Sequence, residues 1–223
     1  MNSMEWSKVF TSVSSATLET IYMVFFSTVI SLLLGMPLGI ILSVTNPETG
    51  IKPKRVLNQV ISRIVNMLRS FPFIILMILL IPFSRFILQT AIGTAPAVIS
   101  LSIAAAPFVA RIIETSLNEV NPGVIQAARA MGSTNLQIIF KVMIPEALPS
   151  LVSGVTLTII NLIGYSAMAG AIGAGGLGDL AIRNGYHRYQ PRVMVMTVIV
   201  IILLVEIVQF VGTFLSNRML KNR

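Results

Sequence analysis

The sequence has no cysteine, a single histidine (His187) and only 11% charged residues among its 223. Without a thiol there is no disulfide framework, no thiolate metal site and no cysteine nucleophile. One histidine leaves a histidine-built metal centre or a Ser-His-Asp triad without its parts. An ordinary soluble domain carries about a quarter charged residues, so this chain lacks the polar surface to coat a water-exposed globule. A soluble enzyme, a nucleic-acid-binding domain and a disordered chain are excluded on that ground. No G-x-x-x-x-G-K-[ST] phosphate loop occurs, so any ATP hydrolysis must come from another polypeptide. A literal G-x-G-x-x-G does occur at Gly173–Gly178. It follows an apolar run instead of a strand, and no acidic residue lies about 20 positions on, so a dinucleotide site is rejected. No catalytic residue, no metal ligand set and no cofactor held by this chain are expected.

What the chain has in quantity is apolar residues, 55% of the total, with a mean hydropathy of +0.86. A bilayer core needs about 20 apolar residues of helix. Five runs qualify, at about 20–44, 57–83, 91–110, 148–172 and 193–215. The second is odd, with Arg63 and Arg69 in its first half and full apolarity only from Phe71 to Phe83. Transmembrane strands would be short and alternating, so the fold class expected is an all-α integral membrane protein with five transmembrane helices. The start does not read as a cleaved signal peptide: Glu5, Trp6, Lys8 and Glu19 replace the usual basic start and apolar stretch. Residues 1–16 form an external N-terminal segment, in which Trp6 and Phe10 suit the interface.

Lysine and arginine counting orients the spans. One side receives Lys52, Lys54, Arg55, Arg111, Arg129, Lys141, Arg218, Lys221 and Arg223, with Arg63 and Arg69 in addition if they belong there. The other receives Lys8, Arg85, Arg183, Arg188 and Arg192. The N-terminus is therefore expected outside and the C-terminal tail, 216–223, inside. The net charge of +8 then reads as basic loops beside an anionic leaflet, and nucleic acid is not a partner.

The segment 111–147 is too polar to span yet is organised. Asn121-Pro122 is a helix start, with Asn as cap and Pro at the first helical position. That helix runs to Met131 and stops at Gly132. Thr134 with Gln137 spells a capping box. Leu136, Ile139, Phe140 and Met143 follow at helical spacing, and Pro145 is expected to end the element. The pair is either a helical hairpin packed under its own membrane domain or a docking surface for a soluble partner.

Gln126-Ala127-Ala128, then Gly132, then Val142-Met143-Ile144-Pro145 resembles the EAA motif of the permease subunits of ABC importers, with Gln126 where the family carries glutamate. Leu68–Ile75, Ala105–Arg111, Ala128–Gly132, Ile144–Pro149 and Gly164–Met168 are similar to the methionine-importer branch, over nearly the whole chain from Glu19 on. The resemblance implies a type I ABC importer permease fold over 17–215. It implies that the helix carrying Gln126, Ala127, Ala128, Met131 and Gly132, with Pro145, couples this chain to an ATPase. It further implies a homodimer, an ATPase homodimer inside holding ATP and Mg, and a lipid-anchored methionine-binding protein outside. The expected function is translocation of methionine (L-methionine, with D-methionine or the sulfoxide as variants) across a bacterial inner membrane, by a transport subunit that is not itself an enzyme. Another small solute, a membrane lipid enzyme and a non-transporting scaffold are the alternatives.

At about 100° per residue, Ser153, Gly154, Thr158, Asn161, Gly164, Tyr165 and Met168 gather in one sector of the fourth span. That sector is either a helix-packing face or the lining of a substrate pathway, for which Ser153, Thr158, Asn161, Tyr165 and Met168 are the candidates. Gly175 and Gly176, with Arg183 and Arg188, are candidates for docking the external binding protein; the glycines read equally as a packed loop end, and the arginines as solvated charges. Glu206 lies in the fifth span, where pairing with Arg63 or Arg69 is favoured. Gly35-Met36-Pro37-Leu38-Gly39 has the spacing of close helix contact.

Overall fold

The computed structural model describes Trp6–Lys221. Residues 1–5 of the expected N-terminal segment and 222–223 of the expected tail lie outside the described residues. The elements are α1 (Trp6–Thr45), α2 (Arg55–Ser70), α3 (Phe73–Leu88), α4 (Thr94–Asn118), α5 (Pro122–Ala130), α6 (Asn135–Ile138), α7 (Ile144–Gly170), α8 (Gly176–Leu180) and α9 (Pro191–Lys221), with π-helical turns at Ile139–Met143 and Ala181–Tyr186. No strand occurs among the described residues. Four stretches are long and apolar enough to cross a bilayer: α1, α4, the continuous Asn135–Gly170 and α9. Counting α2 and α3 together as one broken span makes five.

Three boundaries differ from the sequence reading, each for a physical reason. The stretch 57–83 is not one helix. It breaks between Ser70 and Phe73, because Pro72 has no N–H to give and disfavours helical backbone at Phe71 before it. Pro145 does not end its element, since helix continues from Asn135 to Gly170. The wide turn at Ile139–Met143, where the Ile144 N–H bonds the Ile139 carbonyl, takes up the clash that a proline ring makes with the carbonyl four residues back. Finally, the described part of 1–16 is helical and continuous with the first span, forming the start of α1. Val9, Val13 and Ala16 are buried there with Leu177, Leu180 and Val193, and burial of that stripe makes extending the helix favourable.

The chain divides into two compact units. The first takes the described residues up to Ile30, with Phe71–Ala105 and Ile159–Gln209. Its apolar core is built on Met23, Met77, Leu101, Leu162 and Ala169, with Ser27, Ser84, Ser100 and Thr197 also buried in this unit, and the Phe73 and Tyr165 rings stack at 4.1 Å between centroids. The second takes Ser31–Ser70, Ala106–Thr158 and the described residues from Phe210. There the core joins Val109, Ile113, Leu117, Ile138, Met143 and Leu151, so α4 is bonded through apolar contact to the polar loop region and to the start of α7.

Small residues set how near the helices of the second unit approach. A Cβ at Gly35 would meet Val109 Cβ at 2.7 Å and the Ala106 carbonyl at 2.8 Å; one at Gly39 would meet the Ala110 carbonyl at 2.6 Å. Both residues therefore let α1 and α4 touch along their backbones, which favours dispersion contact where no hydrophobic effect drives association. By contrast, a Cβ at Gly164 meets nothing within 4 Å. Gly39→Val should lower the thermal unfolding midpoint in detergent by about 5 °C, as overpacking does. Gly164→Ala should leave it unchanged or raised, since Ala is the better helix former. Differential scanning fluorimetry of the two variants checks both directions.

Candidate functional site

The helix α5 is specified at both ends. At its start the Asn121 side chain accepts the Gly123 N–H at 2.8 Å, with Pro122 in the first turn. At its end the Ser133 N–H bonds the Ala128 carbonyl (3.1 Å) and the Gly132 N–H bonds the Arg129 carbonyl (2.9 Å), the paired bonds of a left-handed helix termination. Gly132 sits at φ +81°, with open space where a Cβ would be. Glycine is required there by the backbone angle and not by crowding. The next element is then started by Thr134 and Gln137, whose side chains and backbone N–H groups bond reciprocally at 2.8 and 3.4 Å.

Between these ends α5 presents two faces. Ala128 is buried in the core of the second unit. Gln126, Ala127 and Met131 are exposed, Met131 at 79%. Val124 on the same helix is exposed too, as are Leu136 and Phe140 at the start of the Asn135–Gly170 stretch, and exposed apolar side chains that gather in a patch mark an interaction site. Pro145 is exposed as well. Gln126 also lines a cavity of about 280 Å³ with Glu48, Asn118 and Arg129. The Arg129 guanidinium donates a short hydrogen bond to the Ile51 carbonyl, tying α5 to the loop after α1. Sequence reasoning missed that tie; its only signal was a basic residue inside the Ala-Ala-Arg-Ala run.

A second missed feature is α2. Asn58, Ser62 and Asn66 recur every four residues, and each bonds to α1 or α4, with Asn58 and Ser62 half-buried and Asn66 exposed. Asn58 Nδ2 donates to the Leu42 carbonyl at 2.8 Å. Ser62 Oγ and Asn66 Oδ1 accept from Arg111 at 3.0 and 2.7 Å, while Arg111 pairs with Glu114 at 2.6 Å. The opposite face, with Val56, Val60, Ile64 and Met67, is exposed. The face bonded to α1 and α4 carries amides and a hydroxyl, while Gln59, Arg63 and Arg69 are exposed together with the apolar residues and Val65 is buried. Periodic Asn/Ser/Asn was the readable signal.

The pathway candidates on α7 are not brought together. In the first unit Met168 is exposed, Asn161 half-buried, and Tyr165 is turned onto Phe73. In the second unit Thr158 is buried and donates to its own helix, to the Gly154 carbonyl at 2.9 Å. Ser153 is exposed, with its hydroxyl 3.0 Å from Ser216 Oγ. A sector drawn on a helical wheel is wider than any one face, and threonine satisfies itself inside a helix, so polarity alone misplaced Thr158.

The docking candidates divide similarly. Gly176 is buried, and a Cβ on it would meet Thr20 Oγ1 at 2.7 Å and Met23 Cε at 2.8 Å. Its N–H donates to Glu19 Oε2 at 2.7 Å. Gly176 is thus a packing residue, and half-buried Gly175 is the less accessible of the remaining candidates. Arg183 and Arg188 are exposed, beside exposed Tyr186 and Tyr189, with Arg183 paired to Asp179 at 2.9 Å. Glu206 is exposed on α9 and has no salt bridge among the described residues, so the expected arginine pairing is absent there. No cluster of three or more potential metal ligands occurs among the described residues.

Residues 35–221 match the model of the binding-protein-dependent transport system inner membrane component. The chain belongs to this family. It is a multi-pass inner-membrane transport component, not an enzyme. The probable D-methionine transport system permease protein MetI of Vibrio cholerae is 48% identical over 92% of this chain and 90% of its own length. The methionine import system permease protein MetP of Bacillus subtilis is 47% identical over 73% of each. Among solved structures, an inward-facing MetNI methionine ABC transporter superposes with a TM-score of 0.92 at 42% identity, over 97% of this chain and 99% of that one. An amino acid ABC transporter crystallised with histidines shares the fold, with a TM-score of 0.78 at 21% identity.

The Arg111–Glu114 pair lets this permease be tested at one residue. Arg111→Met leaves Glu114, 10% exposed in its side chain, without its counter-charge, at a cost of about 3–5 kcal/mol. Arg111→Met with Glu114→Met should recover most of that loss. Chemical denaturation in detergent of the two single variants and the double variant measures the coupling.

Proposed function

We propose that this chain translocates methionine as the permease of an ATP-driven importer. It works as a homodimer, with a separate ATPase on the cytoplasmic side holding ATP and Mg, and a lipid-anchored methionine-binding protein outside. The N-terminus is external and the C-terminus cytoplasmic, the arrangement favoured by the basic residues of the 52–55 and 111–141 segments. The observation that carries the reading is α5, a short helix with specified ends and an exposed apolar face, on the motif that this family uses to meet its ATPase. The names of the relatives supply the solute.

In this mechanism nucleotide-driven closure of the ATPase displaces α5 and biases one of two packings of the permease dimer. The burial of Ala128 and the bond from Arg129 to Ile51 carry the displacement into the second unit. The α7 candidates that stay accessible or half-accessible are Ser153 in the second unit and Asn161, Tyr165 and Met168 in the first, and each is a candidate for substrate contact in its own unit. Arg183 and Arg188 meet the binding protein on the external side.

Uptake of radiolabelled L-methionine into cells that depend on this system should require the chain, and excess unlabelled methionine should abolish it. Competition by D-methionine or the sulfoxide would define the range, and competition only by an unrelated solute would replace methionine as the substrate. Gly132→Val forces a β-branched residue into the left-handed region, at a cost of about 1–3 kcal/mol to the helix end. Uptake should fall at least tenfold while the membrane level of the protein is kept. Undiminished uptake by a normally assembled Gly132→Val complex would remove α5 from the coupling role.

A further inference from the structure

The connection between α1 and α2, residues 46–54, is charged and is held in one shape by its own backbone. The Gly50 N–H bonds the Asn46 carbonyl, the Lys52 N–H the Val44 carbonyl and the Lys54 N–H the Thr45 carbonyl, each at 3.0 Å. Asn46 Oδ1 accepts the Glu48 N–H at 2.9 Å, the side-chain turn that asparagine favours.

This loop is also fixed to α5, within the same unit. Ile51 is buried in the apolar cluster that holds Ala128, and its carbonyl accepts the hydrogen bond from Arg129. Glu48 and Thr49 line one cavity with Gln126 and Arg129. The loop and α5 are thus neighbours in one surface, joined by an apolar contact, a hydrogen bond and a shared cavity wall.

What the loop presents outward is charge. Glu48, Lys52, Lys54 and Arg55 are all exposed, and none of their side chains has a hydrogen bond or ion pair among the described residues. An ordered backbone that carries unanswered charge, mainly of one sign, is pre-organised for a partner of the opposite sign.

We propose that the 46–55 segment is a second docking element for the ATPase, continuous with α5, which takes acidic side chains of that subunit onto Lys52, Lys54 and Arg55. The anionic leaflet lies on the same side of the bilayer, so counting basic residues does not choose between the two. Two features favour the protein. Glu48 sits beside the lysines, and a layer of phosphates repels it, whereas a protein surface can answer both signs. A subunit that covers Gln126 also stands beside Glu48 and Thr49, because one cavity of about 280 Å³ lies between them. Charges at such a rim act chiefly on encounter and on the choice of partner, while apolar contact at α5 supplies adhesion. The inference rests on the ATP-driven importer reading above and adds the surface by which this permease selects its ATPase.

The test uses the complete transporter, permease with its own ATPase, in nanodiscs of phosphatidylcholine, so that no anionic headgroup competes. A carbodiimide joins an amine to a carboxylate without a spacer and therefore reports pairs in contact. Peptide mass spectrometry should find Lys52 or Lys54 joined to an aspartate or glutamate of the ATPase. In parallel, release of fluorophore-labelled ATPase is followed on dilution. Lys52→Gln with Lys54→Gln should weaken retention about tenfold at low salt, the scale of two exposed ion pairs. Lys52→Glu with Lys54→Glu should weaken it further, and both effects should shrink as salt screens the charges. The thermal unfolding midpoint should not move, because backbone N–H groups hold the loop. Absence of the cross-link, or retention indifferent to the charge reversals, overturns the second docking element. An effect confined to nanodiscs containing phosphatidylglycerol overturns it too and assigns the loop to the leaflet. If the unaltered permease itself retains no ATPase, the importer reading falls with it.

Discussion

Hydrocarbon offers a backbone amide no alternative partner, so every residue crossing it must find its hydrogen bond within its own helix. Most of the architecture follows from this constraint. Helices are long, and prolines inside α1, α3, α4 and α7 are tolerated where neighbouring groups re-satisfy the freed carbonyls. Serines and threonines bond back to their own helices, as Thr28, Ser102, Thr158 and Thr197 do. Side-chain polarity that is not spent in this way finds partners in both units: in the first, Ser84 with Ser100, and Glu19 and Thr20 with the Gly176 and Leu177 N–H groups; in the second, around Arg111 and along the hydroxyls of Ser116, Ser150, Ser153 and Ser216. Both units thus meet the one constraint by pairing polar groups that they bury.

Against that background the coupling segment is unusual in being defined by sequence-local chemistry. Asn121, Pro122, Gly132, Thr134 and Gln137 each fix a cap or a stop, and each does what its residue type does in isolation. For that reason this part of the molecule was readable from the chain alone, down to the reciprocal bonds of the capping box. The number of membrane-length stretches was readable too, because about 20 apolar residues in a row have few other uses. What was not readable depended on partners distant in sequence. Nothing around position 129 announces that its guanidinium reaches the carbonyl of residue 51, 78 positions away. Nor does the glycine run reveal that Glu19 and Thr20, from the first helix, already occupy its N–H groups.

The errors share one cause. Periodicity reports which residues lie on one side of a helix, but not what stands opposite. Thr158 and Tyr165 share a sector of α7 by angle, but Thr158 is buried and bonded to an intrahelical carbonyl, and half-buried Tyr165 lies against the Phe73 ring. The reverse holds for α2, where arginines within an apolar run looked anomalous. Asn58, Ser62 and Asn66 bond to α1 and α4, whereas Arg63 and Arg69 are exposed, so the periodic amides and hydroxyl marked the bonded face and the arginines did not. Proline misled in the same way, since its stop depends on whether the preceding turn can widen, as Ile139–Met143 does.

That widened turn makes Asn135–Gly170 one uninterrupted stretch of 36 residues, where a break at Pro145 would have left a loop and a separate span. Within the second unit the capped start at Thr134 and the buried Ile138, Met143 and Leu151 therefore sit on one backbone with no loop between them. A cap made by local side-chain chemistry thus also sets the register in which that part of the helix meets Val109 and Ile113 of α4.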